Sequence, residues 1–302
     1  MKKISTLAIL LLCSVICSAQ SLNVKKYGAE PLRFSSVEEW EGVHRPIIMN
    51  FFEREVYGLM PQKQVPMSFD VISEKAGALG GKAIRREVAI RLEGMYAPIL
   101  VLMYIPANAE GPVPAFLGMN FKGNHQIVDD PAIIISENAP KGEELGTDPM
   151  RGAAASRWPL DMIIDAGYAV VTIYRGDVDP DFDDGFKNGI HPAFYAKGQT
   201  TPEAHEWGTI GAWAWSLSRV MDYLETDPAI DSKKVAVFGH SRLGKTSLWA
   251  GAQDRRFAIV ISNDSGCGGA ALSMRKHGET VAAINRNFPH WFCDNYNRYS
   301  GN

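Results

Sequence analysis

This chain of 302 residues lacks a large excess of either positive or negative charge. It carries 31 Lys and Arg against 34 Asp and Glu, which gives a formal net charge of −3. This balance excludes the strongly basic surface expected of a nucleic-acid-binding protein. Internal repeats and low-complexity tracts are missing too, which argues against solenoids and disordered chains. No Cys/His cluster has the spacing of a zinc site, and we expect no metal and no other cofactor.

Long apolar runs and cysteines are also few. The one long apolar run, residues 4–16, is shorter than the roughly 20 residues that span a bilayer. It follows two lysines and precedes small residues, which predicts a signal peptide over residues 1–19 and a secreted or periplasmic protein without a membrane span. Of the four cysteines, Cys267 and Cys293 would then remain. Their separation in sequence leaves a disulfide and two buried free thiols equally open.

The order of strand and helix patterns predicts the fold. After residue 168 strands and helices alternate, which favours a mostly parallel sheet with helices on both faces. Earlier strands without helices between them predict an antiparallel N-terminal edge. We therefore expect residues 20–302 to form a single α/β domain. The predicted strands are Met67–Ile72, Arg86–Leu92, Ile99–Ile105, Val113–Met119, Tyr168–Tyr174, Val235–Phe238 and Phe257–Ser262, and the predicted helices are Val37–Tyr57, Ile210–Leu224 and Lys245–Gln253.

The most informative stretch lies between a buried strand and a helix, at residues 239–245 (Gly-His-Ser-Arg-Leu-Gly-Lys). A serine at the apex of such a turn is typical of a nucleophile elbow, which exposes the hydroxyl beside the N-terminus of a helix. The match is imperfect, because Leu243 stands where the motif has glycine and the glycine comes at Gly244. The alternative for Ser241 is an ordinary helix cap.

A second motif overlaps the elbow. Residues 239–246 also fit G-x-x-x-x-G-K-[ST], the phosphate-binding loop of nucleotide hydrolases. Predicted export and the late position of the loop in the chain argue against this alternative.

Beyond the elbow, several segments resemble one family. The chain is similar, from about residue 30 to its end, to bacterial glucuronoyl esterases of carbohydrate esterase family 15. The resemblance implies an α/β-hydrolase and a serine esterase that cleaves the ester between 4-O-methyl-glucuronic acid of xylan and lignin alcohols. An acetylxylan esterase and a non-catalytic carbohydrate-binding relic are the alternatives. The segments that carry the resemblance are residues 117–124, 151–158, 176–185, 205–208, 239–245, 263–269 and 287–293.

The same resemblance implies roles for four residues. Ser241 is the expected nucleophile, and Arg242 is expected to stabilise the oxyanion, since a guanidinium is always charged and offers several donors. Lys245 is expected to contact the sugar or its carboxyl-derived group, with a solvated helix lysine as the alternative. Asp264, after the last predicted strand, is a candidate for the triad acid, although it also suits a simple turn.

A histidine to act as base is harder to find. In α/β-hydrolases it follows the serine and the acid in sequence, and only His277 and His290 follow Ser241. His277 is expected at the surface, and His290 lies in a segment that indicates packing or the substrate side. Neither has a preceding strand that would bring it to the elbow, and His240 is expected to point away from it. We therefore expect a domain that is incomplete at the C-terminus, lacks the last strands and the base, and hydrolyses esters poorly.

Two further groups of residues attract attention. Five aspartates between residues 177 and 184 form an acidic loop that does not fit the EF-hand template. We expect a family-specific loop near the site rather than a calcium site. Trp207, Trp213 and Trp215 offer faces on which sugars could stack, although a core role is expected for Trp213.

Overall fold

The computed structural model describes residues 32–139, 150–274 and 278–301. The predicted signal peptide and His277 lie outside the described residues. Within these ranges, no helix combines the length and the apolar character needed to cross a membrane.

Seven strands form one sheet in the order β1-β2-β3-β5-β4-β6-β7. All seven predicted strands are found, most of them with ends one to several residues away from the predicted ones. Their bounds are β1 (Met67–Ala78), β2 (Ala83–Leu92), β3 (Ile99–Pro106), β4 (Val113–Asn120), β5 (Ala169–Tyr174), β6 (Ile230–His240) and β7 (Ile259–Asn263).

The sheet has an antiparallel and a parallel half, as the sequence predicts. Strands β1, β2 and β3 pair antiparallel, and β3 also pairs antiparallel with β5. Strands β5, β4, β6 and β7 pair parallel in that order. All six residues of β5 are buried. A continuous apolar run of this kind is typical of a parallel strand that is covered on both faces.

Helices cover both faces of the sheet. The largest are α5 (Thr209–Leu224) and α6 (Arg242–Gln253), whose buried residues join one apolar cluster with one face of the sheet. The short helix α3 (Leu160–Asp165) packs with Leu102 and Val170 in a second cluster. Since Val101 and Val171, the neighbours of these two strand residues, belong to the first cluster, alternate side chains serve opposite faces.

The remaining helices are shorter. The helix predicted at residues 37–57 is present but ends at Glu55, contains a π-helical turn at Trp40–His44, and has no buried residue between Val37 and Glu55. Its apolar side is only partly covered, since Ile47 is 65% exposed and Phe51 is 42% exposed. The bounds are α1 (Val37–Glu39), the π-helical turn (Trp40–His44), α2 (Arg45–Glu55), α4 (His191–Phe194) and α7 (Val281–Asn287).

Candidate active site

Ser241 is the single residue that connects the end of β6 to the start of α6. Its backbone angles are φ 57° and ψ −126°, a strained conformation that few residues other than glycine adopt. Its N–H donates to the carbonyl of Asn263, the last residue of β7, at 2.9 Å. Its side chain makes no capping hydrogen bond and is half-buried. The helix-cap alternative is therefore wrong, and the conformation is that of a nucleophile elbow.

Two glycines give this turn its tight geometry. A Cβ atom on Gly239 would lie 2.0 Å from the carbonyl oxygen of Leu243, and one on Gly244 would lie 2.9 Å from that of Asn263. Both neighbours are backbone atoms that cannot move aside. Gly244 therefore allows the close approach of helix and strand, one position later than in the usual motif.

Arg242 follows the serine and lies against an aromatic pair. Its guanidinium carbon is 4.8 Å from the centroid of the Trp291 ring and 5.5 Å from that of Phe288. Its Nη1 forms an ion pair with Asp181. The side chain is 29% exposed, although its Nε is buried and has no hydrogen-bond partner among the described residues.

Asp181 connects several parts of the site. Its side chain is 4% exposed and accepts hydrogen bonds from Trp291 Nε1 at 2.7 Å and from His290 Nε2 at 3.1 Å. Arg175 Nη1 lies 3.2 Å from it as a second ion-pair partner. Burial acts to raise the pKa of Asp181, but the His290 hydrogen bond and the two guanidinium charges outweigh it and hold this pKa well below its usual value. The carboxylate is therefore charged and shared by two arginines.

Lys245 lies one helical turn after the serine. It is 4% exposed, and its Nζ lies 5.2 Å from the centroid of the Trp291 ring. Burial lowers the pKa of this amine, while the charge of Glu279 opposes the change. The solvated-lysine alternative is therefore wrong, because the amine lies within the site.

Asp264 directly follows β7 with a φ of 48° and an exposed side chain. Its charge acts weakly to raise the pKa of Lys245, whose pKa burial lowers. No hydrogen bond joins it to a histidine within the described residues, so its assignment as the triad acid stays a prediction.

The described histidines lie at different distances from the elbow. His290 is packed at the site, as its segment predicts, because it contacts the carboxylate that pairs with Arg242. It is 5% exposed, and its Nδ1 has no hydrogen-bond partner among the described residues. His240 is exposed, and its Nδ1 lies 3.1 Å from Asn263 Nδ2. In the part of the chain that the structure describes, no histidine is hydrogen-bonded to the Ser241 hydroxyl.

Each inward-facing aspartate of the acidic loop has its own hydrogen-bond or ion-pair partners. Asp177 accepts a hydrogen bond from the N–H of Leu100, and Asp179 accepts one from the hydroxyl of Thr209 at 2.5 Å. Asp181 faces Arg242. The expectation that this loop lies near the site is therefore supported by Asp181, a residue for which the sequence alone indicated no specific role.

The three tryptophans and the two cysteines are all buried. Trp207, Trp213 and Trp215 are 3%, 0% and 9% exposed, so the sugar-stacking interpretation is wrong for all three and the core role of Trp213 is confirmed. Their faces are covered because α5, which carries two of them, is enclosed by apolar neighbours. Cys267 and Cys293 are free thiols, and burial raises the pKa of both.

Two cavities lie away from the serine. One, of about 690 Å³, adjoins the C-terminal end of α6, and the other, of about 520 Å³, lies between α2 and α6. Ser241 lines neither of them.

The strand–elbow–helix geometry and the mixed sheet define the α/β-hydrolase class of esterases. Within that class, residues 155–302 match the family described as "Glucuronyl esterase, fungi". A glucuronoyl esterase from Solibacter usitatus has 42% sequence identity and superposes with a TM-score of 0.80 over 88% of this chain and 69% of its own. The chain belongs to the glucuronoyl esterase family, carbohydrate esterase family 15.

Curated relatives agree with this assignment. Carbohydrate esterase MZ0003, from an unknown prokaryotic organism, is 49% identical over 89% of this chain. The 4-O-methyl-glucuronoyl methylesterase 1 of Phanerochaete chrysosporium is 33% identical over 52% of it. The chain spans 64% and 34% of these two relatives. The nucleotide-binding interpretation of residues 239–246 is not retained, because Ser241 within them adopts the elbow conformation.

Proposed function

We propose that the chain forms the nucleophile-bearing site of a serine esterase that acts on esters of 4-O-methyl-glucuronic acid. One observation carries the proposal: Ser241 adopts the strained elbow conformation, its side chain makes no capping hydrogen bond, and a partly exposed Arg242 follows it. The proposed substrate class comes from the relatives, because two of them are 4-O-methyl-glucuronoyl methylesterases.

Attack by the Ser241 hydroxyl on the ester carbonyl would give a tetrahedral oxyanion, and loss of the alcohol would leave an acyl-enzyme that water hydrolyses. Two features suit the oxyanion. The first N–H groups of α6 have no acceptors within the helix and carry its positive dipole end. Arg242 adds a fixed cation beside them.

The positive charges around the serine favour the negative charge that develops on the acyl side of the ester during attack. Arg175 and Arg242 share the single carboxylate of Asp181, so this group of three carries one net positive charge. Lys245 adds a further amine beside the same Trp291 ring. A glucuronoyl ester places its sugar on the acyl side, where Lys245 would contact the sugar hydroxyls. In an acetyl ester the sugar is on the alcohol side, and the acyl side offers this lysine no partner.

The base and the acid complete the proposal. Asp264 is our candidate acid because it follows β7 and influences the same lysine. Since no described histidine contacts the Ser241 hydroxyl, we infer slow ester cleavage by this chain. Secretion stays a prediction, because the residues that indicate it lie outside the described ones.

A comparison of two substrates tests the function. The chain is given methyl 4-O-methyl-glucuronate and, in parallel, acetylated xylan, and acid release is followed over hours. We expect slow release from the glucuronate ester and none above buffer from the acetyl ester. Preference for acetylated xylan would favour the acetylxylan esterase alternative, and inactivity on both would favour the non-catalytic one.

A further inference from the structure

Arg242 can stabilise an oxyanion only if its guanidinium stays in one place. We propose that Asp181 and Trp291 act together as positioning residues that hold this guanidinium beside the elbow. This inference rests on the proposed function and adds to it a role for two residues that do not touch the reacting atoms.

Asp181 meets the requirement for a rigid anchor. Its carboxylate is buried and has four partners: Arg242 and Arg175 on Oδ2, and His290 Nε2 and Trp291 Nε1 on Oδ1. Charge-assisted hydrogen bonds of this kind are strong and directional. With both oxygens occupied from several sides, the carboxylate cannot rotate freely, and it fixes Nη1 of the arginine.

Trp291 holds the same arginine from another direction. Its ring lies 4.8 Å from the Arg242 guanidinium and 5.2 Å from the Lys245 amine, so one indole contacts both cations of the site. The ring itself is held by Phe288, whose centroid lies 3.8 Å away with an interplanar angle of 3°. Its N–H is used by Asp181. Trp291 therefore links the spacing of the two cations to the position of the carboxylate.

The balance of charge explains why the anchor matters. Arg175 and Arg242 both pair with Oδ2 of Asp181. Burial lowers the pKa of Arg175, the charge of Asp181 acts to raise it, and the charge of Arg242 acts to lower it further. Without the carboxylate, two guanidiniums would repel each other across a mostly buried space. Because Arg175 is the more buried of the two, at 17% against 29% side-chain exposure, Arg242 is the one expected to move out.

The test is a double-mutant cycle on the glucuronate ester. Asp181→Asn keeps the size of the side chain and removes its charge, and we expect kcat to fall by about 10- to 100-fold with KM within about threefold, approaching the loss of an oxyanion donor. In an Arg242→Ala background the same change should lower kcat by no more than about threefold, since residues that act through each other are not additive. Equal losses in both backgrounds would overturn the proposal.

Matched variants separate positioning from folding. Asp183→Asn removes an exposed carboxylate from the same loop and should leave kcat unchanged. Trp291→Phe keeps an aromatic ring beside both cations but removes the N–H to Asp181 together with part of the indole ring. We therefore expect a loss of about three- to tenfold, on the scale of one hydrogen bond. Thermal unfolding is recorded for every variant. Full kcat in a folded Trp291→Phe and a folded Asp181→Asn protein would overturn the proposal.

A crystal structure of the Asp181→Asn variant makes the test independent of turnover. If the wild-type chain proves inactive on the ester, the proposed function fails, but the positioning inference is still decided by the place of Arg242. We expect its guanidinium to leave the Trp291 ring in the variant. A guanidinium in its original place would refute the inference even if the proposed function holds.

Discussion

Replacing Arg242 by lysine tests the oxyanion role with the charge retained. Asp181 engages Nη1 of the guanidinium and Nε is buried, which leaves Nη2 as the nitrogen that can face the oxyanion. A lysine has a single nitrogen, and the buried, charged carboxylate of Asp181 should capture it. The variant should therefore lose one donor to the oxyanion, which typically lowers kcat by about 10² to 10³-fold. We expect a fall in kcat near the lower limit, or about 2.7 kcal/mol of transition-state stabilisation.

The assay is the initial rate of methyl 4-O-methyl-glucuronate hydrolysis as a function of substrate concentration. The interaction forms in the transition state, so kcat should fall while KM stays within about threefold. Arg255→Lys is the matched control, because this arginine is 61% exposed and pairs with Glu41 beyond the C-terminal end of α6. A kcat equal to the wild-type value, or a change in KM alone, would refute the reasoning.

Three other changes test the fold and the supply of a base to Ser241. Gly239→Ala places a Cβ 2.0 Å from the Leu243 carbonyl oxygen, so the midpoint of thermal unfolding should fall by several degrees. The control Gly111→Ala, whose Cβ meets nothing within 4 Å, should keep the wild-type midpoint, and equal midpoints for the two variants would contradict the packing argument. Burial raises the pKa of Asp177 to about 6, so the folded carboxyl holds its proton more tightly than the unfolded one. The stability of the wild type relative to Asp177→Asn should therefore be greatest below about pH 4 and fall by on the order of 3 kcal/mol as the pH rises through about 6. A difference in unfolding free energy, measured with urea, that does not change with pH would contradict this. Added imidazole should accelerate ester cleavage by the wild-type chain but not by Ser241→Ala, and no response would indicate that a base already serves the hydroxyl.

Much of the fold is predictable because its signals are local. The buried strand at residues 169–174 consists almost entirely of apolar and β-branched residues, which leaves little alternative to a parallel strand. The strand–turn–helix at residues 230–253 is equally local, and Ser241 lies where the motif predicts. The helix at residues 37–55 shows the limit: its pattern predicts a helix but cannot predict how much of its apolar side other segments cover.

The site is less predictable where it depends on distant contacts. Asp181 and Trp291 are 110 positions apart, and no spacing rule joins them. The sequence around His290 indicates a packed or substrate-side segment, but it cannot show that a loop brings this histidine to Asp181. The wrong sugar-stacking interpretation has the same origin, since exposure of an aromatic face depends on the packing around α5. The cluster of aspartates was the available signal, although it did not single out Asp181.

The central claim is that the hydroxyl of Ser241 performs the attack on a glucuronate ester. The most direct measurement is methanol release from methyl 4-O-methyl-glucuronate by equal amounts of the wild-type and Ser241→Ala chains, both verified as folded. The account predicts slow but measurable release by the wild type and release no faster than in buffer by the variant. Equal release by the two chains would contradict it.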